Sequence, residues 1–149
     1  MTSRLVAFLE GSGTDSQGRG LSDIWQFDDD TIDFTHDFIQ WMFPLREASG
    51  SNFTAPTLLA SEIETIRSSL QCLRNLEEST KWMLSFFNRT EVFFYYTNHN
   101  HLRVTRIIKS LRLLHSDLLA DKFKQEVLDM VQSRAARINP VTVAFWLSV

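Results

Sequence analysis

Apolar residues recur three, four and seven positions apart through most of this chain, a period that one face of an α-helix satisfies and a strand does not. Ile63, Ile66, Leu70, Leu73 and Leu76, continued by Met83 and Phe87, trace one stripe. Val104, Ile107, Ile108, Leu111 and Leu114 trace a second, and Leu119, Phe123, Val127, Met130 and Val131 a third. The spacing predicts helix from Ser61 to about Asn88, as one rod or two, then helices over 100–115 and 116–132. Only Val92 to Tyr96 has the β-branched and aromatic make-up of a strand. With no second strand to pair with, it reads as a packed connection or the start of a helix.

Punctuation by Gly, Pro, Ser and Asp places the remaining elements. Ser3 to Glu10 fits two helical turns, and Gly11 to Gly18 a polar loop. A short helix is expected at Ser22 to Phe27, and Asp28, Asp29 and Asp30 offer N-caps for the next. That next helix is expected to run unbroken from Thr31 to Phe43. Ile32, Thr35, His36, Ile39, Met42 and Phe43 then share one face, Phe34, Phe38 and Trp41 a second, and Asp33, Asp37 and Gln40 a polar stripe. Pro44 ends it. Glu47 to Pro56 reads as a loop, Ser61 with Glu64 as a capping box, and Asn139-Pro140 as the start of a last short helix returning Phe145 and Trp146 to the core. The expectation is an all-α, single compact globular domain of six or seven helices over residues 1–149, with no internal repeat.

A chain of 149 residues, 44% apolar with twelve Phe and four Trp, can bury a core without staples. Its one cysteine, Cys72, excludes an internal disulfide and a Cys-based zinc site, reads as a small buried hydrophobe, and is compatible with a reducing compartment. No apolar run approaches the roughly 20 residues a membrane span needs, and the start lacks a secretory signal pattern. Net charge is −3 but uneven: residues 1–64 carry eleven acids against Arg4, Arg19 and Arg46, and residues 65–149 seven acids against twelve bases. Either an interaction surface or pairing between the halves accounts for that asymmetry.

Three constellations carry chemistry. Arg103, Arg106, Lys109 and Arg112 form a basic face on one helix whose start also favours anions, the arrangement of a nucleic-acid or phosphate-binding module. His36 and Asp37 form a His-Asp pair of the kind that helical metal-dependent phosphohydrolases use, with His99 and His101 as further nitrogens, but no closed ligand spacing supports a metal. Trp25, Phe27, Asp28 to Asp30, Phe34, Phe38 and Trp41 combine aromatic rings with carboxylates, which suits a peptide amine and aromatic side chains. No glycine-rich phosphate loop or nucleophile motif is present, and no cofactor is implied.

Three stretches are more particular than helix packing requires: Gly18-Arg19-Gly20-Leu21-Ser22-Asp23-Ile24-Trp25, His36 through Pro44 (His-Asp-Phe-Ile-Gln-Trp-Met-Phe-Pro), and Asn98 through Leu111. Together they resemble the opioid growth factor receptor conserved region. The resemblance implies an all-helical fold and, from the family's name, an enkephalin peptide as ligand of an animal member. It also implies association with the nuclear envelope and restraint of proliferation, so a cytoplasmic, nuclear or peripheral membrane location is expected. The long low-complexity or repeat-bearing tail of the animal members has no counterpart in these 149 residues. Carried over by position, the candidate ligand-binding residues are His36, Asp37, Gln40 and Trp41 with Asn100, Arg103 and Arg106. The two motifs are expected to meet, Asp33, Asp37 and Gln40 lying against residues 100–106. The expected function is a non-enzymatic peptide or small polar ligand binding and signalling module, with nucleic-acid or phosphate binding and a metal-dependent phosphohydrolase as alternatives.

Overall fold

Side-chain caps begin most of the helices, as the sequence punctuation requires. The computed structural model describes residues 2–50, 52 and 54–149, so the part of the expected loop at Ser51 and Phe53 lies outside the described residues. Helix α1 (Arg4–Glu10) starts where Ser3 Oγ accepts the Val6 amide, and it ends at Gly11, whose φ of 90° suits a residue without Cβ. Helix α2 (Leu21–Ile24) is a single turn held by Asp23, which accepts the Gly20 amide. Asp28 caps α3 (Asp29–Phe34) by accepting the Thr31 amide at 2.8 Å, the position expected of it. Helix α4 (Ile39–Met42) follows after a gap.

The second half is built from longer rods. Helices α5 (Ala60–Arg67) and α6 (Leu70–Arg89) are separate, because Ser69 leaves helical geometry and caps α6 through the Cys72 amide. The cap of α5 lies two residues before the expected one: Glu62, not Glu64, reaches back, and accepts the Leu59 amide. A 3-10 turn (Glu91–Phe94) occupies the strand-like run, as a connection. Helices α7 (Asn100–Leu114), α8 (Asp117–Ser133, capped by Ser116) and α9 (Pro140–Ser148, capped by Asn139) complete the chain. Nine α-helices thus appear among the described residues, more than six or seven: the expected Thr31–Phe43 helix is two, and the 61–88 stretch, open as one rod or two, is two. No strand forms among them; Leu45 and Thr57 make one isolated bridge.

Helix α7 is the central post. All five residues of its stripe, Val104 to Leu114, are fully buried, and α5, α6, α8 and α9 pack around it. Phe87 stacks on Phe93 at 4.8 Å between ring centroids, and the indole of Trp146 donates to the His101 carbonyl at 3.1 Å. Trp146 is therefore sealed, as expected, but Phe145 is not: it is 59% exposed. The helix carries apolar residues on every side, so periodicity does not say which ring turns inward.

Trp146→Ala is expected to lower unfolding free energy by about 3–5 kcal/mol, the usual loss for truncating a buried aromatic, while Phe145→Ala stays within about 0.5 kcal/mol. Urea denaturation of the two variants checks the assignment.

Candidate functional site

The signature stretch does not continue as a helix. At Thr35 the backbone turns extended, with φ −94° and ψ 124°, and the next helix begins at Ile39, after Phe38 has returned to helical angles. A broken helix leaves carbonyls without an amide partner, and such groups are costly unless another donor reaches them. Arg103 supplies that donor. Its Nη1 donates to the Ile32 carbonyl and its Nη2 to the Thr35 carbonyl, each at 2.8 Å, while the guanidinium lies 5.2 Å from the centre of the Phe38 ring. Hydrogen bonds from a charged donor contribute about 1.5–3 kcal/mol each, against roughly 0.5–1.5 for an ordinary helical one, so the break is the favoured state.

Further along α7 the pattern repeats. Arg106 Nε donates to the Phe43 carbonyl at 2.9 Å and Ser110 Oγ to the Pro44 carbonyl at 2.8 Å, which satisfies the backbone where Pro44 stops α4. Asn100 joins the two motifs from both its amide atoms: Nδ2 donates to Asp33 Oδ1 at 3.0 Å and Oδ1 accepts from Arg103 at 3.1 Å. The expected meeting of the two motifs is thus present, through Asp33 rather than through the whole acid stripe. Asp37 faces the other way and pairs with Arg19 at 2.9 Å; Arg19 also grips the fully buried Asp15 at 2.7 Å. That bridge accounts for the Gly-Arg-Gly stretch: Gly18, at φ 78°, turns the chain so that Arg19 points back to both acids. Gln40 folds onto its own turn, donating to the His36 carbonyl.

Seven candidate residues accordingly divide. Gln40, Trp41, Asn100 and Arg103 are buried, and Arg106 is mostly covered. Burial pulls the Arg103 guanidinium down to about 10, opposed by the charge of Asp33, so it remains a cation at neutral pH. Gln40 Oε1, Trp41 Nε1 and Arg106 Nη2 are buried without a hydrogen-bond partner among the described residues. His36 is exposed and the Asp37 side chain is 38% exposed. Two neighbours missing from the candidate set complete the open edge: Phe34, 73% exposed at the end of α3, and His99, whose Nε2 lies 2.9 Å from Asp33 Oδ1. The His36 and His99 rings meet edge to face at 5.5 Å. Burial, the cation of Arg103 and His99 together hold His36 below the ordinary imidazole value.

Two other sequence readings change. His101 lies away from this edge, its Nε2 2.7 Å from the Phe93 carbonyl and its ring against Phe93 and Trp146; no group of three or more metal-type ligands occurs among the described residues. The basic face is largely turned inward or paired: Arg103 and Arg106 on carbonyls, Lys109 on Glu47 at 2.7 Å, and Arg112 on Asp117 and Asp121 at 3.0 and 2.6 Å. Arg89 with Asp29 and Lys109 with Glu47 show the acidic first half pairing with the basic second. Of the aromatic and acidic surface, Phe38 and Trp41 belong to the core, with Trp41 packed on Phe8 and under Arg4.

The model of the opioid growth factor receptor (OGFr) conserved region matches residues 15–91, which contain Arg19, the break and α4. The chain belongs to the opioid growth factor receptor family. It is 32% identical over 134 residues to opioid growth factor receptor-like protein 1 of Mus musculus, covering 78% of this chain and 28% of that protein. It is 36% identical to the Xenopus tropicalis protein of the same name over 78% of this chain and 25% of the relative. With the opioid growth factor receptor of Homo sapiens it shares 33% identity over 105 residues, 58% of this chain and 15% of that protein. The chain therefore spans only about a quarter of the first of these relatives or less of the others. No solved structure matches it.

A double-mutant cycle on Arg19→Ala and Asp37→Asn is expected to give a coupling of about 0.5–1 kcal/mol, as for a partly exposed ion pair, whereas Asp37→Asn and Arg103→Ala add within about 0.5 kcal/mol. Asp37 and Arg103 each have other partners, so strong coupling between them contradicts this geometry.

His36 and His101 both have folded pKa values below the unfolded one near 6.5, chiefly through burial. The unfolded state then binds more protons, so their contribution is complete above that value and is lost as pH falls through the folded pKa. Imidazole proton shifts followed by NMR should show both rings titrating below about 6.5; a higher midpoint for either reverses the sign.

Proposed function

We propose that this domain is a non-enzymatic binding module for a short peptide carrying a free amine and an aromatic side chain. One observation carries the reading: the break after α3 turns Phe34 and His36 to solvent from within an otherwise buried aromatic motif. Phe34 offers a ring face, Asp33 offers a carboxylate to an ammonium, and His36 and His99 offer imidazole nitrogens at the edge, with Asp37 held by Arg19 behind it. Asn100, Arg103, Arg106, Gln40 and Trp41 serve the ligand indirectly, by fixing the backbone that presents those groups. The names of the relatives, opioid growth factor receptor and opioid growth factor receptor-like protein 1, fit a peptide of this class. A free, buried Cys72 and the lack, among the described residues, of a helix long and apolar enough to cross a membrane are consistent with work inside the cell.

Contacts of this kind contribute about 0.5–2 kcal/mol each, so the module on its own binds weakly, at micromolar concentrations or above. Titrating an enkephalin peptide into the full chain should move the amide signals of residues 33–37 and 99. Phe34→Ala should weaken binding at least fivefold with no change in melting temperature. An absence of shifts at millimolar peptide, or shifts indifferent to Phe34→Ala and His36→Ala, refutes the proposal.

A further inference from the structure

Helices α6 and α8 run side by side in the same direction, Glu77 meeting His115 at 2.8 Å near one end and Asn88 meeting Arg134 at the other. Between these ties they do not close. A cavity of about 370 Å³ opens beside Leu84, Leu119 and Phe123, and a shallower trough continues from Leu84 and Glu126 to Met130 and Ser133. Leu84, Leu119 and Met130 are only partly buried along it, and Leu118 stands 82% exposed on its lip. The side chains of α8 that face it follow the 3, 4, 7 period, Leu119, Phe123, Glu126 and Met130. That pattern is the half of a helix–helix contact which another helix's ridge completes. The open seam runs the length of α8, about 25 Å at roughly 1.5 Å per residue, long enough for some four turns.

Charge along the trough is graded. The end near Ser116 carries both signs, Glu77 and Glu126 with Lys81 and Lys122, beside the positive end of the α8 dipole, and the pairs of Lys81 with Glu78 and of Lys122 with Glu126 are long, at 3.7 and 4.0 Å. The far end carries Glu126 and Asp129, and Asp129 makes no ion pair among the described residues, accepting only from Gln125. Both cations beside that end are engaged elsewhere, Arg89 by Asp29 and Arg134 by the Asn88 carbonyl and amide oxygens and the Phe94 ring. We infer that the α6/α8 trough docks an amphipathic helix of another protein, one that fills the cavity with Leu- or Phe-type anchors on a single stripe and sets a basic residue against Glu126 and Asp129. The site is separate from the edge at Phe34 and His36.

A fluorescein-labelled 16-residue peptide, capped at both ends, with leucines at i, i+4, i+7 and i+11 and two lysines beyond one end, probes the trough in the full chain. Binding is expected by anisotropy at micromolar protein, with amide shifts confined to residues 77–88 and 116–133. Leu118→Asp, on an exposed side chain, and Asp129→Lys should each weaken it at least fivefold while leaving the melting curve in place. A peptide with glutamates for the lysines should prefer the Asp129→Lys chain. Phe34→Ala should change nothing, which keeps this result apart from that of the peptide edge. No binding at millimolar protein, equal binding of the two peptides to the unaltered chain, or a dimer in sedimentation equilibrium that closes the trough with a second copy overturns the inference.

Discussion

One guanidinium determines the shape of the signature region. Arg103 bonds the carbonyls of Ile32 and Thr35, and with those two bonds an amphipathic segment that local propensity would run straight becomes two short helices with four residues between them. Several features depend on that break. Phe38 turns under the guanidinium into the core, Phe34 and His36 turn out, Asp33 is left to face Asn100 and His99, and Asp37 is left to face Arg19. Buried polar networks of this kind are favourable only when nearly every member is satisfied, and here the cation, its amide neighbour and the backbone oxygens complete one another.

The signature is thus mainly a set of instructions for backbone geometry. Asn100, Arg103, Arg106 and Ser110 recur at helical spacing along one side of α7, and each reaches a group of the 32–44 segment. In a binding protein that division is physically sensible: side chains that fix the presenting backbone are buried and rigid, and those that meet a ligand stand at the edge. Residues most recognisable in the sequence are therefore, for the most part, those least accessible in the structure.

Much of the architecture was legible in the amino-acid order. Apolar stripes located α6, α7 and α8 to within a residue or two at most ends, and Asp28 and Asn139 were readable as helix starts because a short oxygen-bearing side chain precedes each helix, whereas Ser116, read as the first helical residue, is the cap of α8. What escaped was decided at a distance. Nothing between Thr31 and Phe43 breaks a helix; the donor that does so lies 68 residues beyond Thr35. The outward turn of Phe145 was hidden because every face of α9 is apolar, and Glu62 replaced Glu64 as cap because the helix begins at Ala60. At the site, Arg19 is absent from the candidate residues, although as one of three bases among eleven acids in residues 1–64 it is placed to bridge carboxylates.

The claim that Arg103 holds the signature helix open is tested most directly by replacing it with methionine, which keeps the bulk and removes the donors, and reading backbone carbon secondary shifts from Thr31 to Phe43. The account predicts that the extended signature at Thr35 is lost and the intervening residues become helical or mobile, with stability lower by about 2–4 kcal/mol. Unchanged extended shifts at Thr35 with a stability loss under about 0.5 kcal/mol would contradict it.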